Sequence, residues 1–137
     1  MRRVELVEHD PDAEVLIVTT PQPAAQKVAQ RAAYMARKVN LPVVGVIENM
    51  SWFRCDHDTT YNLFGEGGGA ALAAQLDVPL LGQVPLVPEL RAGSDEGRPI
   101  VVTHPDDEAA QAFFAIAEQI DVELAPKRRY RTELKIV

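Results

Sequence analysis

The chain has 137 residues, a formal net charge of -6, 47% apolar residues and 25% charged residues. That length suits one domain with a core of its own and is short for two. The acidic balance argues against a nucleic-acid partner, and no apolar run approaches the roughly 20 residues that a membrane span needs, so neither is expected.

Met1-Arg2-Arg3 is followed by Val4-Glu5-Leu6-Val7-Glu8, which is not the apolar stretch of a signal peptide. The single cysteine excludes an internal disulfide, and the expected setting is reducing and cytoplasmic. Asp10-Pro11-Asp12 is a turn signal. Val15-Leu16-Ile17-Val18-Thr19 is a continuous β-branched run, which predicts a strand buried on both faces of a parallel sheet. Thr20-Pro21-Gln22-Pro23 breaks it, and Pro23 suits a helix start. Ala25, Val28, Ala29, Ala32, Met35, Ala36 and Val39 then recur at helical spacing as an apolar stripe, with Lys27, Gln30, Arg31, Arg37 and Lys38 opposite.

The alternation repeats. Val43 to Ile47 reads as a second buried strand, Gly68 to Leu76 as an alanine-rich helix and Pro79 to Val84 as a third strand. Pro88 to Ala92 predicts one helical turn, and Pro99-Ile100-Val101-Val102 a short fourth strand. Asp106 to Ile120 reads as a helix with acidic residues in its first turn and a stripe of Ala109, Ala112, Phe113, Ile116, Ala117 and Ile120. Lys127-Arg128-Arg129-Tyr130-Arg131 lies in a basic tail, residues 121–137. Strands alternating with helices predict an α/β fold, a parallel sheet between helical layers.

Ligands of open α/β sheets sit at the carboxyl ends of the strands, so the residues there are the candidates. They are Thr19-Thr20-Pro21-Gln22, Glu48-Asn49-Met50-Ser51 and Pro85-Leu86-Val87-Pro88. Asn49 offers both a donor and an acceptor, which suits reading a base edge; the plainer reading is that it turns the strand end. Gly65-Glu66-Gly67-Gly68-Gly69 leads into a helix, but no lysine follows a glycine, so the run reads as a flexible helix entry more than a phosphate loop. Cys55, His57 and Asp58 have the look of metal ligands. A closed zinc site wants four ligands from two separated pairs, and a cluster of iron and sulfide is normally held by four cysteines. The plainer reading of this segment is a polar exposed loop.

"VTTPQPAAQKVAQRAAYMARKVNLPVVGVIENMSWF", "FGEGGG" and "LLGQVPLVPELRAGSDEGRPIVV", in that order from about Ala13 to Ile120, resemble the C-terminal part of the Mrp (ApbC) proteins, MinD-like P-loop ATPases that carry iron–sulfur clusters. The loop most resembles the form found in actinobacteria. The resemblance implies the C-terminal half of a MinD-like P-loop NTPase domain, with residues 1–137 as one partial domain. It implies that Asn49 contacts adenine, that the backbone of Pro85, Leu86, Val87 and Pro88 frames the base, and that Thr20, Pro21 and Gln22 lie near the nucleotide. It implies ATP and an iron–sulfur cluster as ligands, and apo-proteins that receive the cluster as partners. Cys55 matches the first cysteine of the family's Cys-x-x-Cys pair, through which a dimer bridges a cluster, and Asp58 stands where the second would be. A hard carboxylate substitutes poorly for a thiolate on such a cluster. The family's phosphate loop, switch aspartates and catalytic lysine have no counterpart in this stretch, so ATP hydrolysis by the chain alone is not expected. The strand at 15–19 is then expected to present an unpaired edge, met by a homodimer or by the missing N-terminal half. The alternative function is a non-catalytic interaction or dimerisation module derived from such an ATPase.

Overall fold

A computed structural model describes residues 13–124; the expectations for Asp10-Pro11-Asp12 and for the basic run at Lys127 lie outside them. Three strands, β1 (Val15–Thr19), β2 (Val43–Asn49) and β5 (Leu80–Val84), form a parallel sheet in the order β1-β2-β5. The crossovers carry α1 (Pro23–Lys38) and α2 (Gly68–Leu76). After β5 come α3 (Pro88–Asp95), α4 (Ile100–Thr103), α5 (Glu108–Gln119) and a π-helical turn at Ile120–Leu124. No helix among the described residues is long and apolar enough to cross a membrane.

The α/β expectation therefore stands, with three layers. One face of the sheet presents Ile17, Val43 and Val46 to Ala29, Ala33 and Ala36 of α1 and to Leu72, Ala73 and Leu76 of α2. The other face meets Ile100 of α4 and Ala109, Ala110 and Ile116 of α5, with Leu16, Val44 and Ile47 packed against them. Leu72, Leu76 and Val46 are almost wholly buried, so each contributes on the order of 1.5–3 kcal/mol through removal from water. The Arg37 guanidinium donates to the carbonyl of Leu76, tying the C-terminal ends of α1 and α2 together.

Several details differ from expectation. β1 is not covered on both faces, because Val18 is 60% exposed. Val18 shares a face with Leu16 by strand alternation, and the helix on that side, α5, packs over β5 at the opposite edge. On α1, Ala29 and Ala36 of the expected stripe are buried, joined by Ala33, while its Val28, Ala32, Met35 and Val39 face outward. The small side chains let the helix lie close to the sheet, and the larger apolar ones are left on the outside. On α5, Phe113 and Ala117 are exposed and Ala110 is buried instead.

The expected strand at Pro99–Val102 is the helix α4. Pro99 takes the N-cap position with an extended backbone, His104 N–H donates to the carbonyl of Ile100, and Ile100 alone is buried. The helical turn expected at Pro88–Ala92 extends to Asp95.

Candidate functional site

The parallel register aligns Thr19, Glu48 and Gln83 across the carboxyl end of the sheet, with Asn49 opposite Val84 one residue further on. The pairing runs past the strands themselves. Ser51 N–H donates to the Val84 carbonyl (3.0 Å) and Leu86 N–H to the Trp52 carbonyl (2.7 Å). The segment after β2 and the segment after β5 therefore leave the sheet side by side.

Asn49 is half-buried at this end, and its Oδ1 accepts from the Met50 N–H (2.9 Å). That bond holds Met50 at φ 56°, so the local turn is part of what Asn49 does. It uses the acceptor of the amide and leaves the donor, Nδ2, without a partner among the described residues. Thr20 and Gln22 stand at the end of β1, where Thr20 Oγ1 bonds Gln22 Oε1 (3.2 Å). Gln22 occupies the N-cap position of α1 without capping it through its side chain.

Pro85 is buried, and Pro88 opens α3 at its first turn, where a missing N–H costs nothing. Pro85, Leu86, Val87 and Pro88 line a cavity of about 290 Å³ together with Phe53, Arg54 and Glu108. Asn49, Thr20 and Gln22 do not line it. The structure thus brings Asn49 and the 85–88 segment onto neighbouring strand ends, with Thr20 and Gln22 beyond β2 at the edge strand.

The loop after β2 is more ordered than a plain polar loop. It contains a short antiparallel hairpin, β3 (Phe53–Arg54) with β4 (Thr60–Tyr61). Cys55 sits half-exposed at the turn, its N–H donating to the Thr59 carbonyl (3.0 Å) and its carbonyl accepting from Asp58 (2.9 Å). Backbone N–H groups of His57 and then Thr59 face the thiol and lower its pKa. Asp58 adopts φ 58°, a left-handed conformation that aspartate tolerates. Its carboxylate pairs with Arg54 (3.0 Å), and Arg54 also pairs with Glu108 (3.1 Å) at the start of α5. These two carboxylates, Glu108 foremost, hold the guanidinium still more firmly in its charged form. No group of three or more His, Cys, Asp or Glu side chains is placed to hold a metal ion among the described residues.

The most connected side chain at this end of the sheet, Glu48, counts among the strand-end candidates of the sequence but has no role assigned there. Glu48 is 1% exposed. Its Oε1 accepts from Ser51 Oγ (2.7 Å) and from Gln83 Nε2 (2.9 Å), and its Oε2 accepts from the Gly69 backbone N–H. A charged residue inside the apolar run Val43–Asn49 is the signal that could have found it. The glycine run divides in two: Gly65 and Gly67 are exposed, at φ 95° and 75° with open space around them, whereas the last two glycines are packed. Gly68 and Gly69 are buried, and a side chain on Gly68 would overlap Gln26 and the Pro21 carbonyl. At the first turn of α2 the anion position is filled by the protein's own Glu48 carboxylate, which satisfies one of the helix's free N–H groups.

Residues 2–121 match the model of a family described as ParA, NUBPL iron-transfer P-loop NTPase. The iron-sulfur cluster carrier protein of Mycobacterium tuberculosis H37Rv is 46% identical over 114 residues, which cover 79% of this chain and 30% of that one. The mouse iron-sulfur cluster transfer protein NUBPL is 39% identical over 121 residues, 86% of this chain and 37% of that one. Among solved structures, the septum site-determining protein MinD of Pyrococcus horikoshii, complexed with Mg-ADP, superposes with a TM-score of 0.64 at 31% identity, over 82% of this chain and 42% of that one. The chain spans about a third of the length of the curated relatives it matches. With a MinD-like α/β sheet and a family match over most of its length, the chain belongs to the NUBPL-type iron-transfer P-loop NTPases, the Mrp-like iron–sulfur carrier family.

Proposed function

We propose that this chain is the base-recognising part of an ATP-binding iron–sulfur cluster carrier, with phosphate binding and hydrolysis supplied by a segment outside these 137 residues. The observation that carries the reading is the placement of Asn49 and of Pro85–Pro88 on adjacent carboxyl ends of a parallel sheet, where nucleotides bind in open α/β folds. Asn49 would read the adenine edge with its free Nδ2, the 85–88 backbone would frame the ring, and Thr20 and Gln22 would border the nucleotide from β1. The sequence contains no Gly-Lys-Ser/Thr run, and the glycine-led helix α2 directs its first-turn N–H at Glu48. A triphosphate on this chain alone would lack the cationic and N–H groups that stabilise phosphoryl transfer.

The cluster is cargo in this reading, and the donor set present does not fit a bridged one. Cys55 is the only cysteine, so two copies supply two thiolates where four are usual. Asp58, in the place of a second cysteine, is engaged with Arg54. No transfer step is assigned to this loop.

A second reading, a non-catalytic interaction module, is favoured by one observation: among the described residues β1 is an edge strand paired only with β2, and Val18 on it is exposed. The occupant expected there is the phosphate-loop portion that longer relatives carry, or a second copy of the chain.

Saturation-transfer NMR with ADP tests the first reading. Transfer to the adenine protons is expected with the wild-type chain and is expected to fall strongly in Asn49→Ala. Absence of adenine transfer, transfer unchanged in the variant, or steady ATP turnover by the purified chain would overturn it.

A further inference from the structure

Residues 52–68 connect Ser51, just past the end of β2, to Gly69 in the first turn of α2. Both of those residues are bonded to the same carboxylate, that of Glu48. A third donor, Gln83 on β5, fixes the carboxylate to the neighbouring strand. Glu48 is thus the closing point of a loop whose far end carries Cys55, and Asn49, its successor in the chain, is the candidate base reader.

We infer that Glu48 is a positioning residue that clasps the base of the Cys55-bearing loop and couples its closure to occupancy of the strand end at Asn49. The coupling part rests on the function proposed above; the clasp does not.

Three donors converge on the two oxygens of one buried carboxylate, and no other residue type serves all three. A glutamine there presents one acceptor oxygen and an NH2 group. With its oxygen toward Ser51 and Gln83, the NH2 faces the Gly69 N–H, donor to donor. With its oxygen toward Gly69, the contacts survive only if the Ser51 hydroxyl and the Gln83 amide both reverse to accept, so the arrangement that ties both ends of the loop is lost or must reorganise. Alanine removes all three partners and leaves buried donors unsatisfied, which is costly. Aspartate keeps the charge but is one methylene short of Gly69. The backbone enforces the geometry from the other side: the position of a Gly69 Cβ is 2.7 Å from Glu48 Cβ and 2.8 Å from Oε2, so only glycine lets the carboxylate reach the helix start.

The coupling follows from continuity. Glu48 and Asn49 are successive residues of β2, in register with Gln83 and Val84 of β5. A ligand that presses on Asn49 and the 85–88 segment bears on the two strands that hold the clasp. Ligand-induced ordering of the strand ends would therefore reach Ser51 and Gly69, and through them the loop.

The test uses the full chain, in three forms: wild type, Glu48→Gln and Ser51→Ala. Without nucleotide, hydrogen exchange of the 52–68 amides and alkylation of Cys55 by a maleimide are expected to rise about tenfold in Glu48→Gln, and less in Ser51→Ala, while the amides of β1, β2 and α1 exchange as in wild type. A residue that merely supports the fold would raise exchange everywhere. Equal loop exchange in all three forms, or a uniform rise, would overturn the clasp. Should Glu48→Gln not fold, Ser51→Ala decides alone by the same criterion. With ADP added and its binding measured separately, wild-type loop exchange is expected to slow and that of Glu48→Gln is not. Binding without slowing overturns the coupling; absence of binding overturns the proposed function and leaves the nucleotide-free result to judge the clasp.

Discussion

The carboxylate of Glu48, at the end of β2, accepts the backbone N–H of Gly69 in the first turn of α2, across 21 residues of chain. A strand end and a helix start are locked together by one buried acid, and the glycine is the condition for it. Gly69→Ala would set a methyl group 2.7 Å from Glu48 Cβ and force one element to move. The expected cost is about 1–3 kcal/mol, read as a lowered urea midpoint with unchanged slope. The exposed alanine next in sequence, Ala70, serves as the comparison: Ala70→Ser should cost well under about 1 kcal/mol. Equal midpoints for the two variants would show that α2 does not press on Glu48 as described.

Arg54 joins the hairpin to the start of α5 through Glu108, and to Asp58 within its own turn. These side chains are substantially exposed, so the pairs contribute little to global stability. Arg54→Met should leave the melting transition almost unmoved while amide exchange at 53–61 rises, and raising salt should reproduce the effect in the wild type. A large fall in melting temperature would mean that the ion pairs support the core rather than the hairpin.

Much of this architecture is readable in the residues, and the failures have physical causes. Runs such as Val43–Ile47 read as buried strands and are so, and the alanine-rich stretches between them read as crossover helices. Which face of α1 meets the sheet is another matter. The stripe through Val28, Met35 and Val39 is the more hydrophobic one, yet Ala29, Ala33 and Ala36 face inward. Close packing selects small residues there, and hydrophobicity alone does not reveal that. Pro99–Val102 is β-branched and reads as a strand, but four residues behind a proline N-cap make a helical turn when only Ile100 has a core to enter. The residues proposed to border a nucleotide are legible as strand ends. The role of Glu48 was not, because its three partners lie at 51, 69 and 83 and only the fold assembles them.

Cys55 should react as a thiol of lowered pKa. Backbone N–H groups of His57 and Thr59 donate to the thiolate and stabilise the charged form relative to the neutral one. The rate of iodoacetamide alkylation should therefore reach its half-maximum at a lower pH in the folded chain than in the same chain in urea. In the unfolded chain the midpoint should return to about 8.5, the ordinary thiol value. The same midpoint in both states would mean that the turn at 55–59 does not hold its N–H groups toward the sulfur.

The edge at β1 makes the strongest demand on the chain by itself. A parallel sheet is stable when both faces are covered, yet Val18 is 60% exposed on the face where α5 lies chiefly over β5. Val28 at 66% and Met35 at 55% are further exposed apolar side chains, on α1 across the sheet from Val18. An open strand edge beside exposed apolar groups favours pairing with another strand. Light scattering after size exclusion should therefore find the isolated chain as a dimer or larger species in a concentration-dependent equilibrium. Val18→Lys should shift that equilibrium toward monomer, because a charge at the edge resists strand addition, whereas Phe113→Lys on α5 should leave it unchanged. Mixing the wild-type chain with a phosphate-loop portion from a longer relative should compete with self-association, and Val18→Lys should weaken that as well. A monodisperse monomer that melts cooperatively would mean that β1 needs no partner, and the interaction reading of this surface would fall with it.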